Sequence, residues 1–501
     1  MAFAQSINHV YSDVENINIL HFKSQLILGL TYAIILCVQL KLFKRRDLMS
    51  TIAAISTPNA AGGIGIVKIS GPDAISVADR VFAAVGSKKL SDLPGYSVRF
   101  GHVHDGDNEL DQAVAIIYRA PKSYTGEDVV ELQCHGGLYL MQQILRLCLE
   151  NGAVPAEPGE FTKRAFLNGK MDLTEAESVM TLISAHGRQA ADAAFGVLSG
   201  SLSGEINDIK DTFISAAAHM SAWVDYPDDE IPELDFEALK VEFTDAKSKL
   251  LSLIDNFDAG QAITEGISTV IVGKPNVGKS TLMNLLLGRE RSIVTEVAGT
   301  TRDVVEETAR IGNVVLRLSD TAGIRESDDL VESIGIEYAK SKLNHSSLIL
   351  AMIDGSNPLD EEDIAILEAC KGKPSICILN KNDLGNTVTE KDVEAYVSKV
   401  LSISAKNKDS FEVLRKSLED ILGTADFDTS AAMLINERQL NCCKKAVACI
   451  DEAISAIEMG LTMDAVNVSV DAAIEPLLEL TGERVSDAVV NEVFSKFCVG
   501  K

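Results

Sequence analysis

The sequence predicts a multidomain α/β protein, in which a parallel-sheet domain is inserted into an α-helical domain and an α+β domain precedes both. Three patterns predict it. Between about Gly266 and Leu422, short apolar runs alternate with helical stretches, which marks a parallel sheet covered on both faces. On either side, from Asp172 to about Gln261 and from Leu434 onward, apolar residues recur at helical spacing. Each flank alone is too small to bury its apolar face, so the two are expected to pack together. From Thr51 to about Asn168, strand and helix patterns are mixed.

A chain of 501 residues corresponds to about three domains at ~150 residues each. The expected boundaries are 1–48 for an extension, 49–168 for the α+β domain, 169–264 and 427–501 for the helical domain, and 265–426 for the insertion. Net charge is −27, so the surface as a whole repels phosphate backbones, and nucleic-acid contact needs a local basic patch or a partner's surface. Aromatics are 5% with a single tryptophan, Trp223, which disfavours a base-stacking surface. The nine cysteines form no CxxC pair and no zinc-type spacing. They read as thiols of a reduced compartment, and the chain as cytoplasmic without stable membrane association.

In the extension, Leu26 to Leu40 is apolar and is followed by Lys41, Lys44, Arg45 and Arg46. The run is shorter than the ~20 residues of a membrane span, and no small-residue cleavage site follows it. A mis-assigned start with Met49 as the true first residue is preferred over a weak anchor or an accessory helix. Beyond it, residues 52–55 and 64–69 read as strands separated by turn residues. Ser70-Gly71-Pro72-Asp73 opens a helix, residues 129–133 read as a strand, and Leu140, Ile144, Leu145 and Cys148 mark a further helix. Glu175 to Ile183 and Ile206 to Val224 are helical, and Tyr226-Pro227-Asp228-Asp229-Glu230 is an acidic turn. In the insertion, residues 269–272, 314–318, 348–353, 376–379 and 401–403 are strands. Residues 305–311 and 314–318 flank Gly312-Asn313, a hairpin signal that adds one antiparallel edge strand.

The chemistry-bearing motifs fall at the ends of those strands. Gly273-Lys274-Pro275-Asn276-Val277-Gly278-Lys279-Ser280 fits GxxxxGK[ST] between a strand and a helix. Such a loop, with Thr281 following, wraps phosphates with backbone N–H groups at a helix N-terminus. Lys279 reaches the β- and γ-phosphates and Ser280 binds magnesium. Asp320-Thr321-Ala322-Gly323 ends the third strand; Asp320 holds magnesium through water, and Gly323 admits the γ-phosphate. Thr301, in Thr300-Thr301, supplies a second magnesium hydroxyl. Asn380-Lys381-Asn382-Asp383 follows the fifth strand, where Asp383 accepts from guanine N–H groups that adenine does not present. Ser404-Ala405-Lys406 follows the sixth and braces the base. Together they describe a Ras-like P-loop GTPase domain with GTP as substrate. The stretch where Ras-type domains carry a water-orienting glutamine reads Ile324-Arg325, so Glu326 or Glu332 is the candidate for that role.

Around this core stand Gly62-Gly63-Ile64-Gly65, Tyr124-Thr125-Gly126-Glu127-Asp128, Pro158-Gly159-Glu160-Phe161-Thr162, Ala165 to Leu173 and the ending Phe497-Cys498-Val499-Gly500-Lys501. With them the chain resembles the tRNA-modification GTPase family MnmE (TrmE) over about residues 51–501. The resemblance implies a folate-binding, homodimer-forming N-terminal domain and a helical domain that carries the GTPase domain. It implies work with the flavoprotein MnmG (GidA), in a heterotetramer or larger complex, on the wobble uridine of certain tRNAs. A tetrahydrofolate derivative (5-formyl or methylene) supplies the one-carbon unit, giving aminomethyl or carboxymethylaminomethyl uridine. It further implies a potassium ion held by Asn276, Thr295, Val297 and Thr300, within a nucleotide-contacting loop that includes Glu296, Ala298 and Gly299. Glu332 is implied to orient the attacking water, and Lys68, Glu131, Lys170 and Lys501 to contact folate. Lys68 stands where the family usually has arginine, so a bidentate grip is lost there.

Cys498 and His135 read as an inert thiol and a turn residue rather than as catalytic groups. Lys163, Arg164, Arg438, Lys444 and Lys445 are candidates for tRNA contact. Two rivals stand beside this reading: a ribosome-binding assembly GTPase, and a folate-dependent one-carbon transferase regulated by GTP.

Overall fold

The computed structural model describes residues 50–86, 88–185, 187–225, 235–287, 307–311, 314–319, 346–422 and 431–501. The extension 1–48 lies outside them. The chain divides into two compact units, Met1–Lys170 with Phe494–Lys501, and Met171–Val493.

The first unit is built on a seven-stranded sheet. Its strands are β1 (Ile52–Ile55), β2 (Gly65–Ser70), β3 (Phe82–Ala84), β4 (Ser97–Asp105), β5 (Asn108–Tyr118), β6 (Val129–Cys134) and β7 (Val154–Pro155). Their spatial order is β3-β4-β5-β6-β2-β1-β7. Pairing is antiparallel except between β1 and β7. Strand alternation sorts the side chains. Val67, Ile69, Ala113, Ala115, Ile117, Val130 and Leu132 point into a core shared with helices Ala74–Val81 and Leu138–Glu150. The intervening residues Lys68 and Glu131, cross-strand partners in the β2–β6 register, therefore share the other face.

The second helical part was expected to run to Lys501; in space, Phe494–Lys501 groups with the first unit. Backbone hydrogen bonds explain this: Gly159 N donates to Cys498 O at 3.3 Å and Phe161 N to Lys501 O at 3.1 Å. Ser56 Oγ donates to Gly500 O at 3.1 Å. A Cβ on Gly500 (φ 95°) would come within 2.4 Å of Ile55 O, so only glycine lets the tail lie this close to β1.

The second unit holds the helices and the inserted sheet. Helix Leu173–Ile183 starts with a capping box, Glu175 N to Asp172 Oδ1 and Asp172 N to Glu175 Oε2, both 2.9 Å. Helices Arg188–Leu198, Ser201–Asp225 and Phe236–Asp255 share one core with Glu437–Glu458 and Met463–Thr481 from beyond the insertion. Phe213 stacks on Phe243 there at 4.5 Å. Arg438 ties the two sequence segments together by a two-point ion pair to Glu177, at 2.7 and 2.8 Å.

The inserted sheet comprises β8 (Ile267–Val272), β9 (Glu307–Ile311), β10 (Val314–Ser319), β11 (Leu348–Asp354), β12 (Ser375–Asn380) and β13 (Lys399–Ser402), in the order β13-β12-β11-β8-β10-β9. All neighbours are parallel except β9 and β10, so the sheet carries the antiparallel edge strand expected from the sequence. β11 and β12 are buried along nearly their whole length, as a strand covered on both faces requires. Among the described residues, no helix is long and apolar enough to cross a membrane.

Candidate functional site

The carboxyl ends of β8, β12 and β13 converge, as ligand sites of open α/β sheets do. The loop after β8 turns at Asn276, whose φ of 62° is left-handed, and runs into helix Lys279–Leu287. Ser280 and Thr281 lie in its first turn, where unpaired N–H groups and the helix dipole favour an anion. Lys279 Nζ donates to Gly273 O at 2.7 Å and to Lys274 O at 2.8 Å. Burial holds its amine below the usual lysine range, a cost that a phosphate anion relieves.

Asn380 ends β12 and is 4% exposed. Its Nδ2 donates to Val277 O at 2.7 Å, and its Oδ1 accepts from Ala405 N at 2.8 Å. One side chain thus pins the phosphate loop to the Ser404-Ala405-Lys406 segment. Gly278 leaves room for it, since a Cβ there would come within 2.3 Å of Asn380 Nδ2. Lys381 (φ 65°) pairs with Asp354 at 2.7 Å. Asp383 stays exposed, and its hydrogen bond with Ser404, then the nearby Lys406 and Lys381, hold its carboxyl below the usual range. An ionised acceptor is the form that two guanine N–H donors need.

Asn276, Val277, Gly278, Lys279, Ser280, Thr281, Asn380, Lys381, Asp383, Ser404, Ala405 and Lys406 are all among the described residues and cluster at these strand ends. Thr295, Glu296, Val297, Ala298, Gly299, Thr300, Thr301, Asp320, Thr321, Ala322, Gly323 and Glu332 lie outside them, as do Gly312-Asn313 and Glu326.

A second cluster lies on the first unit's sheet face. Lys68 Nζ is 4.0 Å from Glu131 Oε1. It sits over the rings of Phe161 and Tyr124, with centroids at 5.1 and 5.5 Å, and its side chain is 12% exposed. Burial pulls the ammonium below its usual range; Glu131 opposes this, and the cation of Lys501 adds to it. Lys170 Nζ is exposed and donates to Pro121 O at 3.2 Å. Tyr124 Oη shares a 2.9 Å hydrogen bond with Thr162 Oγ1. Burial, then Glu131, pushes the Tyr118 phenol up. Lys68, Glu131 and Lys501 are thus electrostatic neighbours, with Tyr118 and Tyr124 beside them and the fully buried Phe161 beneath Lys68. An amphiphilic ligand with a flat ring and carboxylates fits such a donor set.

Two candidates for tRNA contact are corrected. Arg164 is 1% exposed, bound by Glu127 and Glu160 and donating to Ser50 O at 2.7 Å. Arg438 is spent on Glu177 and on the carbonyls of Glu479 and Leu480. The Arg164 guanidinium is buried, and the Arg438 side chain is 17% exposed. Lys444 is exposed, and Lys445 is 3.6 Å from Glu479. His135 is exposed and held by Asp111 through ring and backbone, at 2.6 and 2.8 Å. Cys498 is exposed, whereas Cys442 and Cys443 are buried.

Two family models match the chain: the MnmE helical domain over residues 173–498, and the N-terminus of GTP-binding protein TrmE over 51–170. A protein named tRNA modification GTPase MnmE from Clostridioides difficile is 38% identical, covering 90% of this chain and 99% of its own. One of the same name from Enterococcus faecalis is 40% identical, covering 90% and 98%. Among solved structures, Aquifex aeolicus Era bound to GDP.AlF4- is 30% identical over 36% of this chain and 66% of that one. Its TM-score is 0.24, too low to bear on the fold.

Proposed function

The chain belongs to the tRNA modification GTPase family MnmE, and we propose that it is a potassium-activated GTP hydrolase that modifies the wobble uridine of certain tRNAs together with the flavoprotein MnmG (GidA). The observation that carries this reading is the Asn380 bridge, because it joins the phosphate loop and the base-bracing segment through one buried amide. A nucleotide seated there touches both segments at once.

In this reading Lys279 exchanges its two loop carbonyls for the β- and γ-phosphates, and Asp383 selects guanine. Ser280, in the helix's first turn, is the described residue that would hold magnesium, with Thr301 as its partner. Asn276 offers an amide oxygen at the exposed loop tip, a donor type that suits a hard monovalent cation. It would hold potassium with Thr295, Val297 and Thr300. That ion would add positive charge at the phosphates beside that of Lys279. Asp320 and Glu332 are assigned to magnesium-bound water and to the attacking water.

The first unit is proposed to bind a tetrahydrofolate derivative, which supplies the one-carbon unit when bound. Glu131 would accept from the pterin's amino edge, while Lys68, Lys170 and Lys501 would meet its carbonyl and carboxylate oxygens. What supports this is the half-buried Lys68–Glu131 pair against the Tyr124 and Phe161 rings. The working form is proposed to be a cytoplasmic homodimer within the MnmG complex.

Nucleoside analysis of tRNA tests the whole. A strain lacking this gene should lose the modified wobble uridine, and the wild-type gene but not Lys279→Ala should restore it. An unchanged nucleoside profile in the deletion strain defeats the assignment.

A further inference from the structure

The phosphate loop is tied to the rest of its domain at a point that the nucleotide motifs do not include. Lys274 is the loop's second residue. Its carbonyl accepts from Lys279 Nζ at 2.8 Å. Its own ammonium reaches the other way, to Asp360 Oδ2 at 2.5 Å and Asp363 Oδ2 at 2.7 Å. Those carboxylates form the start of helix Glu361–Cys370, where Asp360 Oδ1 accepts from Asp363 N at 3.1 Å and Asp363 Oδ2 from Asp360 N at 3.4 Å.

The two acids differ in setting. The Asp360 side chain is 56% exposed and that of Asp363 only 4%. Asp363 Oδ1 is buried and accepts no hydrogen bond among the described residues. A buried carboxylate with one oxygen unsatisfied is held chiefly by its cation. Lys274 is the cation paired with it, so that side chain is confined to one place. The loop's start lies close against β11, where a Cβ on Gly273 would come within 2.4 Å of Met352 O. The chain of contacts therefore runs from the helix cap, through Lys274, to the lysine assigned to the phosphates.

We propose that Lys274 is a positioning residue of the nucleotide site, clamped by Asp360 and Asp363 so that its carbonyl fixes the rest position of the Lys279 ammonium. The clamp also neutralises two carboxylates that would otherwise direct negative charge at a phosphate-binding loop. This deepens, and rests on, the assignment of that loop to a guanine nucleotide.

The test is binding of a fluorescent GDP analogue to the full chain. Wild type should bind; if it does not, the nucleotide assignment itself fails and the positioning role falls with it. Given wild-type binding, Lys274→Met should raise Kd about tenfold, as loss of a charge-assisted anchor does. Lys274→Arg, which keeps the charge and reach, should restore Kd to within about threefold. Lys274→Met leaves the buried Asp363 without its cation and should lower the unfolding midpoint, so affinity is read well below that midpoint, where the chain is folded; a merely structural role predicts the wild-type Kd there. If Lys274→Met does not fold, Asp360→Asn carries the test, because asparagine still caps the helix while one carboxylate of the clamp is lost; Kd should rise about threefold. GDP binding unchanged in whichever of these variants folds, or no rescue by arginine, overturns the role.

Discussion

Asn380 offers the sharpest perturbation of the nucleotide site. Replacing it by alanine removes the donor to Val277 O and the acceptor from Ala405 N. Val277 and Ala405 are 3% and 5% exposed, so water does not readily take over. Each orphaned backbone group costs about 1–3 kcal/mol, and the pair about 2–5 kcal/mol once some relaxation is allowed. Both segments are proposed to touch the nucleotide, so part of this loss must appear in binding. If half of it does, GDP affinity should fall by about five- to sixtyfold, at about 1.4 kcal/mol per factor of ten. The assay is titration with a fluorescent GDP analogue alongside urea unfolding. Asn380→Asp is the informative companion: it keeps the acceptor for Ala405 N but sets a carboxylate oxygen against Val277 O, so it should bind no better than the alanine variant. An Asn380→Ala protein that binds GDP within about threefold of wild type, with an unchanged urea midpoint, would refute the bridging role.

Other outcomes follow from the same geometry. Asp383→Asn should lose GTP and gain xanthosine triphosphate, because an amide donates where xanthine carries a carbonyl; competition binding reads the exchange. Arg164→Met should leave Glu127 and Glu160 uncompensated and destabilise the first unit by about 3–5 kcal/mol in urea unfolding; a tRNA-contact residue would leave stability unchanged. At Lys68 burial lowers the folded-state pKa, so between that value and the ordinary lysine value the unfolded chain binds the extra proton. Stability from this residue therefore rises with pH across that window, while affinity for 5-formyltetrahydrofolate falls as the cation is lost. Lys68→Arg should abolish the alkaline fall, as calorimetric titration across pH would show.

The nucleotide domain was legible in the sequence because its information is local. A loop such as 273–280 carries its ligand groups on consecutive residues, and β11 and β12 announce themselves as unbroken apolar runs. The Asn380 bridge was legible only in part: the motif names the residue, but its partners Val277 and Ala405 come from two other segments. The β4–β5 hairpin is legible only in Asp105-Gly106, a turn signal between alternating runs such as Val114 and Ile116. Charge was the least legible feature. Arg164 and Arg438 read as surface cations until Glu127, Glu160 and Glu177 meet them, and Glu127 and Glu177 are remote in sequence. The tail's grouping was hidden for a similar reason. Its partners Ser56, Gly159 and Phe161 are distant backbone and side-chain groups that no period in residues 494–501 encodes.

The most direct test of the central claim is nucleotide hydrolysis by the purified full chain, with GTP or ATP, in potassium or sodium chloride at equal ionic strength. The account predicts that GTP alone is turned over and that potassium accelerates it by about tenfold or more, since a cation at the splitting anhydride lowers the barrier by at least about 1.4 kcal/mol. Equal rates in the two salts, or ATP hydrolysed as fast as GTP, would contradict it.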